Sequence, residues 1–161
     1  MNNNTIQLND IRTMLSERGY ITDEAVSMSV FLSLQLNKPL MIEGPAGVGK
    51  TEIAKVMAKA MRTDLIRLQC YEGLDVSSDV YEWNYAAQMI EIRMEEAAGK
   101  VDRTDMEHNV FSEKYLIRRP VLDALTGKAG AAPVFLIDEL DRTDEAFEAF
   151  LLEILSDFQV T

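Results

Sequence analysis

The stretch that decides the fold reads Gly44-Pro45-Ala46-Gly47-Val48-Gly49-Lys50-Thr51. It fills every fixed position of the phosphate-binding P-loop, G-x-x-x-x-G-K-[ST]. Mostly apolar residues 39–43 precede it and predict a short strand, whereas apolar residues at helical spacing follow it from Ile53 to Met61. A strand, a glycine-rich loop and a helix in this order can bind the phosphates of a nucleotide.

Each residue type in the loop suits phosphate binding. Gly44, Gly47 and Gly49 let the backbone turn tightly and approach an anion, which a Cβ atom would block. The loop amides and the start of the helix then donate to phosphate oxygens. We expect Lys50 to contact the β- and γ-phosphates of ATP and Thr51 to ligate Mg²⁺. All eight loop residues are therefore candidate nucleotide ligands.

A second motif is the apolar run from Pro133 to Ile137, which ends in Asp138 and Glu139. Continuous apolarity is typical of a strand buried on both faces in a parallel sheet. Open α/β sheets bind ligands at the carboxyl ends of their strands. We expect Asp138 to hold Mg²⁺, directly or through water, and Glu139 to orient or deprotonate the attacking water. The sequence thus predicts a three-layer αβα P-loop NTPase with a parallel sheet.

Further segments resemble the AAA+ ATPases of the MoxR group. The resembling segments are GPAGVGKT (44–51), FLIDELDR (135–142) and LLEILSDFQVT (151–161), while LIRLQCYEGLD (65–75) and YEWNY (81–85) are most similar to its CoxD-like branch. The resemblance runs from about Ile21 onward. It implies an ATP-driven chaperone for metalloenzyme maturation or cofactor insertion, which forms a hexamer-like ring. It also implies a von Willebrand factor A-domain partner and a metalloenzyme client.

The resemblance also implies parts that have no counterpart in the 161 residues. In the family's strand order 5-1-4-3-2, the Asp-Glu pair ends the third strand. The fourth strand with its polar sensor, the arginine finger, the fifth strand and a helical lid would follow. We therefore expect the N-terminal portion of one AAA+ domain, truncated after the third strand and its helix. Residues 1–37 would form N-terminal helices, and 38–161 a P-loop core with Walker A and Walker B motifs.

An incomplete AAA+ domain is compatible with two functions. The first is an ATP-hydrolysing remodeller, and the second is a nucleotide-binding interaction module with little turnover. We expect the chain alone to bind ATP weakly and to hydrolyse it poorly. A GTPase is disfavoured because Asn37-Lys38 is followed by Pro39-Leu40 rather than by a guanine-reading Asp. No acceptor-binding motif supports a small-molecule kinase.

Charge and composition limit the partners. Lys and Arg number 16 against 27 Asp and Glu, which gives a net charge of −11. Nucleic acids and anionic membranes are therefore poor partners, because phosphates are bound mainly by Lys and Arg. Cys70 is the single cysteine, which excludes an internal disulfide and fits a reducing compartment. The sequence has no run of membrane-helix length and no signal peptide, so we expect a cytoplasmic location.

Outside the two motifs the pattern predicts mainly helices. The predicted elements are a short helix capped by Asn9 or Asp10 and ended by Gly19, a helix from Thr22-Asp23-Glu24 to about Leu36, a strand at 65–68, helix over 76–98, a polar loop at 99–109, helical spacing over 112–125 interrupted at Pro120, a small-residue loop at 127–132, and a final amphipathic helix. The apolar face of that last helix comprises Phe147, Phe150, Leu151, Ile154, Leu155 and Phe158.

Several other residues have two readings. Trp83, Tyr81 and Tyr85 either grip a client or line a pore, or pack against the sheet. Ile21 and its neighbours border the adenine by analogy with related ATPases.

The arginines outside the motifs also have two interpretations. Arg118 and Arg119 either reach a nucleotide across a subunit boundary or are solvated, and Arg142 either serves an interface or pairs with Asp141 or Glu145. His108 reads as a surface residue and Cys70 as a buried thiol.

Overall fold

The computed structural model describes residues 7–74, 81–97, 99, 111–127 and 132–157. In chain order its elements are α1 Leu8–Ser16, α2 Glu24–Leu36, α3 Lys50–Met61, β1 Leu65–Gln69, β2 Tyr81–Trp83, α4 Tyr85–Ala97, β3 Leu116–Arg118, α5 Pro120–Thr126, β4 Val134–Asp138 and α6 Glu145–Asp157. Short 3₁₀ turns cover Glu113–Tyr115 and Leu140–Arg142.

Two strand pairs are formed by the described residues. β1 and β4 pair in parallel, with a register that runs from Leu65 opposite Val134 to Gln69 opposite Asp138. β2 and β3 pair antiparallel and form a separate ribbon. The predicted α/β class with a parallel sheet is therefore confirmed. Because the strands run in parallel, the carboxyl ends of β1 and β4 meet at one edge.

Helices cover both faces of the parallel pair. On one face a cluster that we call the α6 core joins β1 to α5 and α6. Its buried members are Leu68, Cys70, Leu74, Val121, Phe147, Leu151 and Ile154. On the other face the α3 core joins α1, α2 and α3. Its buried members are Ile11, Leu15, Val30, Ile53, Val56 and Met57. The strands thus form the middle layer of an αβα arrangement.

The start of α2 agrees with the sequence pattern. Asp23 is its N-cap, and the carboxylate accepts a hydrogen bond from the Val26 amide at 2.8 Å. This contact satisfies one of the amides that have no partner inside the helix.

Replacing Asp23 with alanine tests this cap. We expect the Asp23→Ala variant to lose about 1 kcal/mol of unfolding free energy, because an orphan amide loses its acceptor. Urea denaturation followed by circular dichroism measures the loss. Glu24→Ala, one residue later, keeps the cap and is the matched control. An Asp23→Ala variant as stable as this control would show that the cap contributes nothing.

The predicted strand at 39–43 is wrong. The segment is not in a strand, because no strand among the described residues lies beside it to form a ladder. Strand geometry in water needs such a partner for its backbone groups. Ile42 still packs against the α3 core, whereas Met41 is exposed. The β4 strand is likewise only half-buried along its length rather than buried on both faces.

Three further predictions are corrected. Within the helix expected over 76–98, residues 81–83 form β2 instead, and the described helix runs from Tyr85 to Ala97, whereas residues 76–80 and 98 lie outside the described residues. The helical spacing expected over 112–125 contains β3 instead, which pairs with β2. Pro120 does not interrupt a helix but occupies the first position of α5, where its missing amide costs nothing.

The first helix also starts earlier than expected. Gln7 rather than Asn9 or Asp10 is its N-cap, and Asp10 accepts a hydrogen bond from the Gln7 amide at 2.8 Å. A carboxylate three residues into the helix thus reaches back to the cap.

Some predictions lie outside the described residues. They concern His108, Phe158, most of the loop at 127–132, and the polar loop at 99–109, of which Gly99 alone is described. In the part of the chain that is described, no helix combines the length and hydropathy that a membrane crossing requires.

Candidate functional site

The glycines of residues 44–51 adopt backbone conformations that other residues avoid. Gly47 has φ of 82° and Gly49, the N-cap of α3, has φ of 88°. A side chain at either position would be strained, because both torsions lie in the left-handed region. A Cβ atom on Gly47 would meet no protein atom within 4 Å, so the space beside this turn is open.

The loop is attached to the protein at its helical end. The Tyr20 hydroxyl donates to the Gly49 carbonyl oxygen at 3.4 Å, and α3 packs against both β1 and β4. Residues 44–48, which include Pro45, Ala46 and Val48, are exposed. The exposed loop is therefore followed directly by the N-terminus of a well-anchored helix, which is where an anion site forms.

Lys50 folds back over the loop. Its Nζ atom donates to the carbonyl oxygens of Gly44 at 2.5 Å and of Pro45 at 2.8 Å. An ammonium group has three donors, so these contacts leave capacity for a further acceptor. The lysine thus holds its positive charge beside the glycine turn.

The two sequence motifs meet at one hydrogen bond. The Thr51 hydroxyl donates to Oδ2 of Asp138 at 3.3 Å, although 87 residues separate them. The contact follows from the fold, since α3 packs on β4 and Asp138 is the last residue of that strand. The Cys70 amide donates to the Asp138 carbonyl oxygen at 2.9 Å and fixes its backbone. The structure therefore brings Thr51 and Asp138 together.

Arg67 is a site residue that the sequence analysis missed. Its Nη2 atom lies 2.8 Å from Oδ2 of Asp138 and 2.5 Å from Oε1 of Gln69. The available signal was two polar residues at alternating positions near the end of β1, which share a face of the strand. Arg67 and Thr51 therefore share one carboxylate oxygen as acceptor.

Glu139, unlike Asp138, has an unusual backbone conformation. It has φ of 58° and ψ of 42°, a left-handed conformation that is uncommon for a residue with a side chain. Such torsions cost about 1–3 kcal/mol and concentrate at functional sites. The Arg142 guanidinium lies 3.3 Å from its Oε2 atom. The expected pairing of Arg142 with Asp141 or Glu145 is replaced by this contact.

The other candidate residues lie elsewhere in the fold. Trp83 packs edge-on against Phe111 with ring centroids 5.5 Å apart, and Tyr85 is exposed. Ile21 is 96% exposed. Cys70 is buried in the α6 core, as expected for an inert thiol.

The two arginines of the ribbon form ion pairs. Arg118 lies 3.9 Å from Glu113, and Arg119 pairs with Glu82 across the ribbon. Both side chains remain well exposed, as expected for solvated charges.

Nearby lysines favour the ionised state of Glu52 in the first turn of α3. A hydrogen bond from Lys55 holds the pKa of the Glu52 carboxyl below its ordinary value, assisted by the charges of Lys55 and Lys59. The Lys55 Nζ atom lies 2.9 Å from Glu52 Oε2. These charges are local to the exposed face of the helix.

The oxygen atoms of Thr51 and Asp138 fit a magnesium ion. Mg²⁺ prefers oxygen ligands and is usually held by one or two carboxylates together with phosphates and water. Within the described ranges no group of three or more His, Cys, Asp or Glu residues forms a metal cluster. A hydroxyl and one carboxylate beside a phosphate loop match a metal that is shared with a nucleotide.

The family model of the AAA domain, dynein-related subfamily, matches residues 39–161. This match includes both sequence motifs and all of the elements from α3 to α6. AAA domains are nucleotide-binding ATPases.

Curated relatives share part of the chain. An uncharacterized protein of Staphylococcus saprophyticus is 32% identical over 65 residues, which are 40% of this chain and 25% of the relative. A similar protein of Staphylococcus haemolyticus is 31% identical over 65 residues, again 40% of this chain and 25% of the relative. YojN of Bacillus subtilis, also uncharacterized, is 22% identical over 113 residues, 69% of this chain and 37% of the relative. The chain thus spans well under half of these relatives. No solved structure matches it significantly.

Proposed function

The chain belongs to the dynein-related subfamily of AAA domains, and we propose that it binds ATP with Mg²⁺ at residues 44–51 and hydrolyses it. The observation that carries this proposal is the 3.3 Å hydrogen bond between Thr51 and Asp138. It joins the phosphate loop to the acidic strand end, as a shared metal ion would require. Residues 1–37 are then N-terminal helices, and 38–161 belong to the P-loop core of one AAA+ domain.

Each residue of the site has a proposed role. The amides at the start of α3 and the Lys50 ammonium bind the β- and γ-phosphates, because both present positive charge to the same region. Thr51 and Asp138 hold Mg²⁺, which neutralises phosphate charge when bound. Glu139 orients or deprotonates the attacking water as general base. The strained backbone at Glu139 supports a functional role for this residue.

For the whole protein we propose a chaperone-like role. The segments 65–75 and 81–85 resemble the CoxD-like branch of the MoxR group, and this resemblance supports metalloenzyme maturation or cofactor insertion as the process. AAA+ domains commonly form oligomeric rings, which supports a hexamer-like assembly. A von Willebrand factor A-domain protein and a metalloenzyme client are the corresponding partners. The single cysteine, Cys70, fits a cytoplasmic location.

A second candidate is a nucleotide-binding interaction module with little turnover. The observation that favours it is that both acids of the strand end are paired with arginines. Arg67 contacts Asp138, and Arg142 contacts Glu139. Acids held in this way are less available to a metal ion or a water molecule. Binding without brisk hydrolysis would support this candidate.

Replacing Lys50 with alanine tests nucleotide binding. We expect the affinity of Lys50→Ala for ATP to fall roughly 10- to 100-fold, because a charged hydrogen bond is worth about 1.5–3 kcal/mol. Titration of a fluorescent ATP analogue against the purified chain, with Mg²⁺ present, measures the dissociation constant. Competition with unlabelled ATP and GTP reports base preference.

Lys59→Ala is the matched control, since it removes the same charge from the last turn of the same helix. We expect its affinity to stay within about twofold of the unmodified chain, because the charge lies outside the phosphate loop. Equal affinities of Lys50→Ala and the unmodified chain would refute binding at residues 44–51.

A further inference from the structure

Two side chains converge on one carboxylate oxygen at the end of β4. Asp138 Oδ2 lies 2.8 Å from Arg67 Nη2 and 3.3 Å from Thr51 Oγ1. The proposed function assigns the Thr51 and Asp138 oxygens to Mg²⁺. Arg67 therefore occupies the oxygen that the metal ion would use.

Strand register places the arginine there. In the parallel ladder Arg67 lies opposite Leu136, and Gln69 lies opposite Asp138. Residues two apart on a strand share a face, so Arg67, Gln69 and Asp138 lie on the same face at the carboxyl edge. The Arg67 guanidinium reaches along the strand to the acid and also donates to Gln69 Oε1 at 2.5 Å. This contact is a consequence of the sheet and not of a flexible loop.

We propose that Arg67 and Mg²⁺ bind Asp138 in turn, and that Arg67 is a positioning residue which neutralises the acid until the metal ion takes it over. This inference rests on the proposed function. A divalent ion attracts the carboxylate twice as strongly as a guanidinium at equal distance, and the two cations repel each other. Arg67 therefore leaves Asp138 when the metal is bound.

Arg67 can leave because its ion pair is not buried. Its side chain is 50% exposed, whereas that of Asp138 is 22% exposed. Ion pairs with a solvated partner are weak and exchange readily. Gln69 Oε1 provides a neutral acceptor that Arg67 can retain. The arginine thus has a second position within reach, and Asp138 stays oriented by Thr51 and its fixed backbone.

The arginine has a different effect on metal-free ATP. Without a cation beside it, the Asp138 carboxylate repels the triphosphate that Lys50 and the loop amides attract. Arg67 cancels this repulsion in the absence of Mg²⁺. Its removal therefore weakens the binding of metal-free ATP but not of Mg²⁺–ATP. A group that simply bound phosphate would instead affect both forms equally.

Replacing Arg67 with glutamine tests the exchange. Dissociation constants for a fluorescent ATP analogue are measured in excess Mg²⁺ and in excess EDTA. We expect Arg67→Gln to bind metal-free nucleotide about tenfold more weakly, the effect of one unit charge some 6 Å away in a partly aqueous medium. Its affinity for Mg²⁺–nucleotide stays within about twofold of the unmodified chain. The gain in affinity on adding Mg²⁺ is therefore about tenfold larger in the variant.

Two further variants separate charge from structure. Arg67→Lys keeps the charge and restores most of the metal-free affinity. Arg93→Gln makes the same charge change on α4, a helix that packs against the turn at 113–115, and leaves both constants unchanged. Circular dichroism and a thermal melt confirm that each variant is folded.

The possible outcomes are distinct. Equal losses with and without Mg²⁺ in Arg67→Gln would overturn the exchange and identify a direct phosphate ligand or a structural role. Unchanged constants would overturn it as well. In both cases a loss of affinity in Lys50→Ala leaves the proposed function standing. Absence of nucleotide binding by the unmodified chain would reject the proposed function and, with it, this inference.

Discussion

Glu139→Gln is expected to lower ATP turnover by about 10²- to 10⁴-fold and to leave ATP affinity within about twofold. General base catalysis typically contributes this factor, and an amide cannot take a proton from water. Glutamine keeps the size of the side chain and an oxygen that can accept from Arg142, which lies 3.3 Å from the carboxylate. Release of phosphate under single-turnover conditions, with protein in excess over labelled ATP, provides the necessary sensitivity.

The control for this experiment is Glu148→Gln. It removes the same charge from the exposed side of α6, and we expect unchanged turnover. Turnover in Glu139→Gln equal to that of the control would contradict the role of general base. Background turnover in the unmodified chain, combined with measurable ATP binding, would favour the interaction module over the hydrolase.

Phe147→Ala is expected to lower the unfolding free energy by about 3–5 kcal/mol. Removal of a large buried aromatic side chain loses its transfer free energy and leaves a cavity. Phe147 is 0% exposed in the α6 core, where β1, α5 and α6 meet. A domain of this size is stable by only about 5–15 kcal/mol, so the loss is a large part of the total. Urea denaturation followed by circular dichroism measures it.

Leu152→Ala on the same helix is the matched control for packing. Leu152 is 70% exposed, and we expect its loss to stay within about 0.5 kcal/mol. Similar losses in the two variants would mean that α6 does not pack on the sheet through Phe147. The comparison therefore tests the middle and outer layers of the fold together.

The parallel pair was predictable because each of its strands carries its own signal. Val134 to Ile137 form a continuous apolar run, and Leu65 to Leu68 form another with one polar residue. The helix after the phosphate loop was equally clear from its apolar spacing. These elements are defined by nearby residues, so local patterns were sufficient.

The antiparallel ribbon was not predictable from local pattern. β2 and β3 have three residues each, which is too short for a period of two to stand out. Their pairing joins Trp83 to Leu116, and this long-range ladder overrides the helical propensity of the flanking residues. For residues 39–43 the error was the reverse, because a strand was predicted where none formed. Its apolar pattern suits a strand, but a strand exists only with a neighbour.

The site was partly predictable for the same reason. The glycine loop and the acidic strand end are local motifs, so residues 44–51, Asp138 and Glu139 were identified as candidates. Their roles remain predictions. Arg67 could not be assigned, because its contact with Asp138 depends on the register between two strands. A shift of one residue would place it on the other face.

The two ends of the loop at residues 44–51 are held to different extents. Its C-terminal end continues into α3, which packs on both β1 and β4, whereas residues 39–43 at its N-terminal end form no strand ladder among the described residues. At that N-terminal end, Lys50 stabilises the loop by donating to the carbonyl oxygens of Gly44 and Pro45. In the proposed site, a bound phosphate would draw the Lys50 ammonium away from these carbonyls and would itself contact the loop. Under this proposal, the nucleotide affinity equals the difference between the new phosphate contacts and the carbonyl contacts that Lys50 gives up.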